Sequence, residues 1–156
     1  MATPARALPK EDAMTDETRA VDSLSANEFT VELDGAAAPG VFRVSGLVSY
    51  KLDVRPSLTK TQREPFALYK MVQRDPELPF NRWLRETIAT RDDIVHARRT
   101  LDIVALDDGV EVRRWRVKGA WISEISYSDF DSGSSQLVEQ RLTIQYDEVE
   151  EIWPEA

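Results

Sequence analysis

Basic and aromatic side chains crowd the stretch DDGVEVRRWRVKGAWI, residues 107–122. It contains four cations and two tryptophans: Arg113, Arg114, Trp115, Arg116, Lys118 and Trp121. Cations between aromatic rings are typical of surfaces that bind single-stranded nucleic acid, because the rings stack on bases and the cations contact phosphates. The chain of 156 residues nevertheless has a net charge of −8. Proteins whose main task is nucleic-acid binding normally carry a positive excess, so the charge disfavours that function.

Residues suited to catalysis or metal binding are sparse elsewhere. The sequence has no cysteine, and its single histidine, His96, lies in the charged run RDDIVHARR. This composition excludes metal sites of the His/Cys type and leaves a catalytic triad with one base and no surrounding motif. The acidic pairs at 92–93 and 107–108 lack calcium-loop spacing, and no glycine-rich phosphate motif occurs. We therefore expect a protein that is not an enzyme and needs no cofactor.

The ends of the chain differ in character from its middle. Residues 1–26 have no apolar period and predict a flexible arm. We expect one β domain over residues 27–150 and an acidic tail over 151–156. No segment has the roughly 18 apolar residues of a membrane span, and the N-terminus lacks the apolar region of a signal peptide. We therefore expect synthesis and folding in the cytoplasm and no direct membrane insertion.

Alternation of apolar and polar residues predicts mostly strands. EFTVELDG indicates a strand that ends at Asp34-Gly35, and VFRVSGLVSYKLDV predicts one strand over residues 41–54, with Gly46 where it bends. RPSLTKTQREP predicts a polar loop, and FALYKMV a short strand. A long, bent strand suits a barrel better than a small flat sheet.

One helix is indicated by an apolar stripe after Pro79. Its members recur at helical spacing and are expected to pack on a sheet: Phe80, Trp83, Leu84, Thr87 and Ile88.

The basic stretch itself is predicted to be the second strand of a hairpin. Asp107-Asp108-Gly109 is a hairpin turn, and the alternation slips near residues 113–114, as at a β-bulge. Beyond the slip, the tryptophans and Val117 are expected to face the core. The cations Arg114, Arg116 and Lys118 then lie on the solvated or subunit-facing side. QLVEQRLTIQYDEV predicts the last strand. The fold class is mainly β: an antiparallel, barrel-like subunit with one packed helix.

Four phrases in order resemble the tail tube protein family of contractile-tail phages and related extracellular contractile injection systems. The first is FTVELDG followed by VFRVSGL, which contains Phe42 and Ser45-Gly46-Leu47. The helix that carries Trp83 is the second. The third is the hairpin with Arg114-Trp115 before Ala120-Trp121, and the fourth is SSQLVEQRLTIQYDEVE. The resemblance covers roughly residues 28–150.

The resemblance implies a structural subunit that assembles into stacked hexameric rings around a channel. It further implies contacts with adjacent rings and with sheath, baseplate or spike proteins, while cargo or DNA passes through the lumen without specific binding. The particle would be a phage tail or an extracellular injection device. The phrase residues named above are the predicted assembly residues.

Two departures from the family concern the ends of the tube. The loop RPSLTKTQRE lacks the glycines usual in the family, where this loop reaches an adjacent ring, and Ile122 replaces a usual proline. With the long arm, these departures leave open a main tube subunit or a specialised ring that joins the tube to the spike or caps it. The alternative from another class is a soluble β-barrel module that binds a ligand or single-stranded nucleic acid through Trp115, Trp121 and the basic stripe.

Overall fold

A computed structural model describes residues 23–55, 58–61 and 63–154 of the chain. In these residues, ten strands and one helix follow in order: β1 Phe29–Leu33, β2 Ala36–Ala37, β3 Val41–Ser45, β4 Leu52–Arg55, β5 Leu58–Thr61, β6 Phe66–Met71, α1 Pro79–Ala89, β7 Arg99–Asp107, β8 Val110–Tyr127, β9 Glu139–Gln145 and β10 Glu148–Ile152. The expectation of a mainly β, antiparallel fold with one helix is confirmed. The predicted arm lies outside the described residues except for residues 23–26.

Strand β8 belongs to two layers of one antiparallel sheet, ordered β2-β1-β7-β8-β9-β6-β3. Its first half pairs with β7 on one side and β10 on the other, and we call β2, β1, β7, this half and β10 sheet A. Its second half, residues 121–127, pairs with β9, which continues to β6 and β3; we call these four strands sheet B. The core fills the space between the two layers.

The bend in β8 lies at Gly119. Its φ is +67°, and an added Cβ there would lie 2.1 Å from an Asp147 carboxylate oxygen. The strand register also shifts here, so that the buried residues change from Val117 to Ala120 and Ile122. Only glycine combines this conformation with this close approach. The bulge predicted near residues 113–114 is also present, between the pairs Ala105–Arg113 and Leu106–Glu111, but the second bulge was not expected.

The predicted strand over residues 41–54 is wrong. β3 ends at Ser45, Gly46 adopts a φ of +81°, and within the described residues β4 pairs only with β5. Apolar side chains of the predicted strand are exposed, with Tyr50 at 69% and Val54 at 75%. Part of the polar loop predicted to follow, residues 58–61, is instead the strand β5. Apolar and polar residues do alternate within each short strand, but alternation does not show which strands pair.

Replacing Gly46 with valine is expected to lower the free energy of unfolding by about 2 kcal/mol, because a branched side chain is strained at positive φ. The nearest atom to an added Cβ is the Phe66 Cα at 3.9 Å, so the cost is conformational rather than steric. Urea unfolding measures the change. Ser45→Val, one residue earlier, is the control, and equal stability of the two variants would contradict the argument.

Helix α1 closes one end of the core, with Pro79 in its first turn as predicted. Phe80, Trp83 and Leu84 are buried, which confirms that part of the apolar stripe. The expectation for Ile88 is wrong, since it is 51% exposed. The last helical turn flanks an open groove beside residues 121–125 of β8, where no strand covers it in the described chain.

One charged side chain lies fully inside the apolar core. The Lys70 ammonium donates hydrogen bonds to the Met71 carbonyl and to Gln140 Oε1, each at 3.0 Å. Burial lowers the pKa of Lys70 to about 8. The surrounding core is formed by residues from both sheets and the helix: Val31, Leu33, Phe66, Leu68, Phe80, Trp83, Leu101, Val117, Ala120, Ile122, Leu142, Ile144 and Tyr146.

Candidate assembly surfaces

The cations of the opening stretch form ion pairs on sheet A. The Arg114 guanidinium contacts three carboxylates, at 2.5 Å from Asp102, 2.7 Å from Glu32 and 2.6 Å from Glu111. Arg116 contacts the same Asp102 at 3.0 Å. Asp102 lies between Glu32 and Arg116 in the strand register, so β1, β7 and β8 assemble the cluster. We call these five residues the Asp102 cluster.

Arg114 lies on the face of sheet A opposite the core residue Val117, as expected for the solvated or subunit-facing side, but carboxylates cover it. Its side chain is 15% exposed, and that of Asp102 is 3% exposed. Hydrogen bonds to Glu111 and Glu32 raise the pKa of Arg114, and the bond from Arg114 lowers the pKa of Glu111. The cause is the acidic residues that the register places opposite the arginines, which sequence alternation alone does not show.

The other two cations of the stretch also have acidic partners. Lys118 lies 2.7 Å from Glu150, whose hydrogen bond raises the pKa of the ammonium group. Arg113 lies 3.5 Å from Glu151 and 3.3 Å from the centroid of the exposed Trp153 ring. The whole stripe is therefore neutralised within the subunit. This removes the observation that favoured a phosphate-binding module.

The tryptophans have separate positions. Trp83 is fully buried and donates from Nε1 to the Ala97 carbonyl at 2.8 Å. Trp115 is half-buried and packs against the core. The expected core position of Trp121 is wrong: it lies opposite Gln145, on the face away from the core, because the bulge at Gly119 reverses the alternation. Its ring stacks on His96, with centroids 4.0 Å apart.

The remaining predicted assembly residues lie on or beside the edge strand β3. Phe42 is 44% exposed and Ser45 is half-buried, while Gly46 and Leu47 follow directly after the strand. Ala120 is fully buried in β8. The predicted residues therefore do not form one site but divide among the core, the Asp102 cluster, the β3 edge and, for Trp121, the start of the open β8 edge. Their roles in assembly stay predictions.

Sheet B ends in two different open edges. In the described chain, β3 pairs only with β6, and residues 121–127 of β8 pair only with β9. Open edges of this length readily pair with another strand. β7 pairs with β8 as far as Ala120, so the open β8 edge begins just after the Gly119 bulge, which no sequence pattern indicated.

A groove lies beside each of these edges. The groove next to β8 has a volume of about 320 Å³ and is lined by the end of α1, His96 and residues 121–125. The groove inside β3 has a volume of about 490 Å³ and is mostly apolar. Its walls include residues from four strands and the segment after β3: Phe29, Phe42, Val44, Leu47, Ile103 and Trp115. We call this second space the β3 groove.

The face of sheet B that points away from the core carries a row of residues across adjacent strands. Arg43, Tyr69 and Arg141 are register neighbours, and the two guanidinium carbons lie 4.9 and 5.8 Å from the Tyr69 ring centroid. Glu139 and Glu124 occupy the same face. Two cations and two carboxylates leave this face close to neutral.

The described residues contain no cluster of three or more His, Asp or Glu side chains placed to hold a metal ion. The described helix is too short and too polar to cross a membrane.

The family model of the T4-like virus tail tube protein gp19 matches residues 25–150. No curated protein sequence matches the chain. Among solved structures, a chain from the PVC sheath-tube complex of an extracellular contractile injection system in its extended state is 16% identical. It has a TM-score of 0.66, over 90% of this chain and 98% of the other.

Two further structures come from tube ends. A chain from the anti-feeding prophage (AFP) tube terminating cap is 16% identical with a TM-score of 0.65, over 85% of this chain and 92% of the other. A chain from the PVC sheath/tube terminator is 18% identical with a TM-score of 0.63, over 83% and 96%. At these identities the likeness concerns the fold.

Proposed function

Because this chain belongs to the T4-like virus tail tube protein gp19 family, and is thus a structural tube subunit and not an enzyme, we propose that six copies close into a ring around a channel. The number six comes from the family resemblance. The observation that carries ring closure is the pair of open edges on sheet B, which differ in sequence and lie at opposite ends of four strands.

The directions of the strands permit this closure. From β8 through β9 and β6 to β3, each neighbour is antiparallel, so the two edge strands run in opposite directions. Pairing the β3 edge of one copy with the β8 edge of the next therefore continues the antiparallel order without a break. Such head-to-tail contacts generate a ring when the rotation closes, and closure removes every open edge of the layer.

The dimensions leave room for a channel. Six copies of four strands, spaced about 4.8 Å apart, give a barrel about 115 Å in circumference and about 37 Å across before strand tilt. Sheet A and α1 must then lie outside this wall, where the circumference is larger. The near-neutral face with Arg43, Tyr69 and Arg141 lines the channel, which suits passage of cargo or DNA without specific binding.

Adjacent rings and the outer proteins of the particle complete the set of proposed partners. In the described chain no third strand pairs with the β4–β5 hairpin. Isolated two-stranded hairpins are only marginally stable in water. Contact with an adjacent ring would complete it. Likeness to chains from a sheath-tube complex and from two tube ends supports a sheath partner and a position either along the tube or at its end. The baseplate or spike partner comes from the family resemblance.

The ring predicts which cysteine pairs will form disulfides between copies. The natural chain has no cysteine, so each engineered thiol is unique. Four double variants cover the register: Arg43→Cys or Ser45→Cys on β3, each with Glu124→Cys or Ser126→Cys on β8. At least one pair is expected to give, after oxidation, covalent oligomers that end at six copies on a non-reducing gel. Six-fold rings should be visible by negative-stain electron microscopy.

Single-cysteine variants serve as the matched controls. Within one copy the two edges are three strand spacings apart, about 14 Å, which exceeds the reach of a disulfide. The ring therefore requires that none of the four single-cysteine variants forms specific oligomers. Dimers of a single β3 variant would instead show an edge pairing with itself, and monomers from all four double variants at high protein concentration would contradict the ring.

A further inference from the structure

We propose a second contact between ring neighbours, in which the side chains of Ile94 and Val95 from one copy fill the β3 groove of the next. This contact rests on the proposed ring, because that ring determines which surfaces meet. Its occupant is a second copy of this chain. The contact would join the loop after α1 to the space between the two sheets of the neighbour.

The loop presents an apolar pair at an unusual degree of exposure. Ile94 is 97% exposed and Val95 is 75% exposed, although charged residues surround both in the sequence. The following residue, His96, stacks on Trp121 at the start of the open β8 edge. The pair is therefore fixed beside the edge that meets the neighbour. Adjacent apolar side chains exposed in this way are typical of interaction sites.

The groove on the other end of sheet B offers a matching surface. It lies between β3 and the sheet A strands β1, β7 and β8, and its volume is about 490 Å³. Phe42 at its wall is 44% exposed, and Trp115 is only half-buried. Filling the groove would remove both aromatic surfaces from water at about 25 cal/mol per Å² of apolar area.

The two surfaces border the same junction in the ring. The loop passes the start of the open β8 edge, where His96 stacks on Trp121 and the Ala97 carbonyl accepts the hydrogen bond from the buried Trp83. Phe42 and Val44 of the edge strand β3 line the groove. When the β3 and β8 edges pair, the loop of one copy therefore lies next to the groove of the next.

The test introduces charge into the apolar pair. Ile94→Asp combined with Val95→Asp is expected to leave the circular dichroism spectrum and thermal midpoint of the monomer unchanged, because both side chains are exposed. Covalent oligomers in the cysteine background should fall roughly tenfold or more at equal protein concentration, as for residues central to an interface. Leu137→Asp is the matched control, since Leu137 is 71% exposed in the loop between β8 and β9, lines neither groove and should not affect the yield.

Mixing variants adds a test that a general loss of solubility cannot imitate. Phe42→Asp introduces charge into the groove, as the loop variant introduces charge at Ile94 and Val95. In a mixture of the two variants, the intact loop of the Phe42 variant can fill the intact groove of the loop variant, but no other contact is intact. The mixture should therefore give dimers and no rings. A photo-reactive residue at position 94 of the otherwise natural chain should cross-link to groove residues of a second copy.

The outcomes separate this contact from the ring itself. Undiminished oligomers from the loop variant, or cross-links that map outside the groove, would overturn the contact while the ring stands. Absence of oligomers from the cysteine-pair variants, both without further changes and with Leu137→Asp, would overturn the ring and the contact with it.

Discussion

Replacing Asp102 with alanine is expected to lower the free energy of unfolding by about 3–5 kcal/mol. The carboxylate is almost fully buried and is the common partner of Arg114 and Arg116. Its removal leaves two guanidinium groups close together, one of them largely out of water, without the charge that offsets their repulsion. Urea unfolding followed by tryptophan fluorescence measures the loss, and the spectrum of the folded state should be retained.

An exposed ion pair of the same sheet provides the control. Glu150→Ala removes a partner of Lys118, but both side chains are more than 40% exposed. Exposed pairs contribute about 0–1 kcal/mol, so this change should be small. If Asp102→Ala and Glu150→Ala had the same effect, the Asp102 cluster would not be a stabilising element of sheet A. Arg114→Ala together with Arg116→Ala is accordingly expected to destabilise the fold, contrary to the view of these cations as a solvated surface.

Trp83→Ala is expected to lower the free energy of unfolding by about 3–5 kcal/mol, because it leaves a cavity in the core. Trp83 is fully buried between α1 and the sheets. It also removes the donor to the Ala97 carbonyl and so frees the loop that carries Ile94 and Val95. The same unfolding assay measures the loss. Ring formation in the cysteine background should weaken as well.

Two variants show which part of this effect is local. Trp83→Phe keeps a large ring but loses the hydrogen bond, which should cost about 1–3 kcal/mol. Trp121→Ala removes a half-buried ring stacked on one partner, and we expect a loss of about 1 kcal/mol. A loss at Trp121 as large as that at Trp83 would place Trp121 in the core, as its alternation had suggested.

Local features of the fold could be predicted because local physics determines them. The four turn residues of Asp34-Gly35 and Asp108-Gly109 each adopt a positive φ. Asp and Gly are favoured at such positions in hairpin turns. The helix was indicated by Pro79 and an apolar stripe, and β1 and β6 by their composition and alternation. The charge balance disfavoured nucleic-acid binding as the main function before any partner of Arg114 was known.

Features set by strand pairing could not be predicted in this way. The alternation over residues 41–54 gave no sign that β4 leaves the sheet, because pairing depends on distant residues. Asp102 stood out as a carboxylate inside an apolar run, which was a usable signal, but its partners come from β1 and β8. The bulge at Gly119 reverses the face of the residues that directly follow it in β8, so one glycine accounts for the misplacement of Trp121.

The path of β8 has a mechanical consequence. One covalent strand of 18 residues, about 60 Å along its path, runs from sheet A into sheet B. β10 pairs with its first half and β9 with its second half. A load applied to one sheet is therefore transmitted to the other along a covalent strand rather than through side-chain packing alone. Because the strand register is interrupted around Gly119, we expect flexing between the two sheets to centre on this residue.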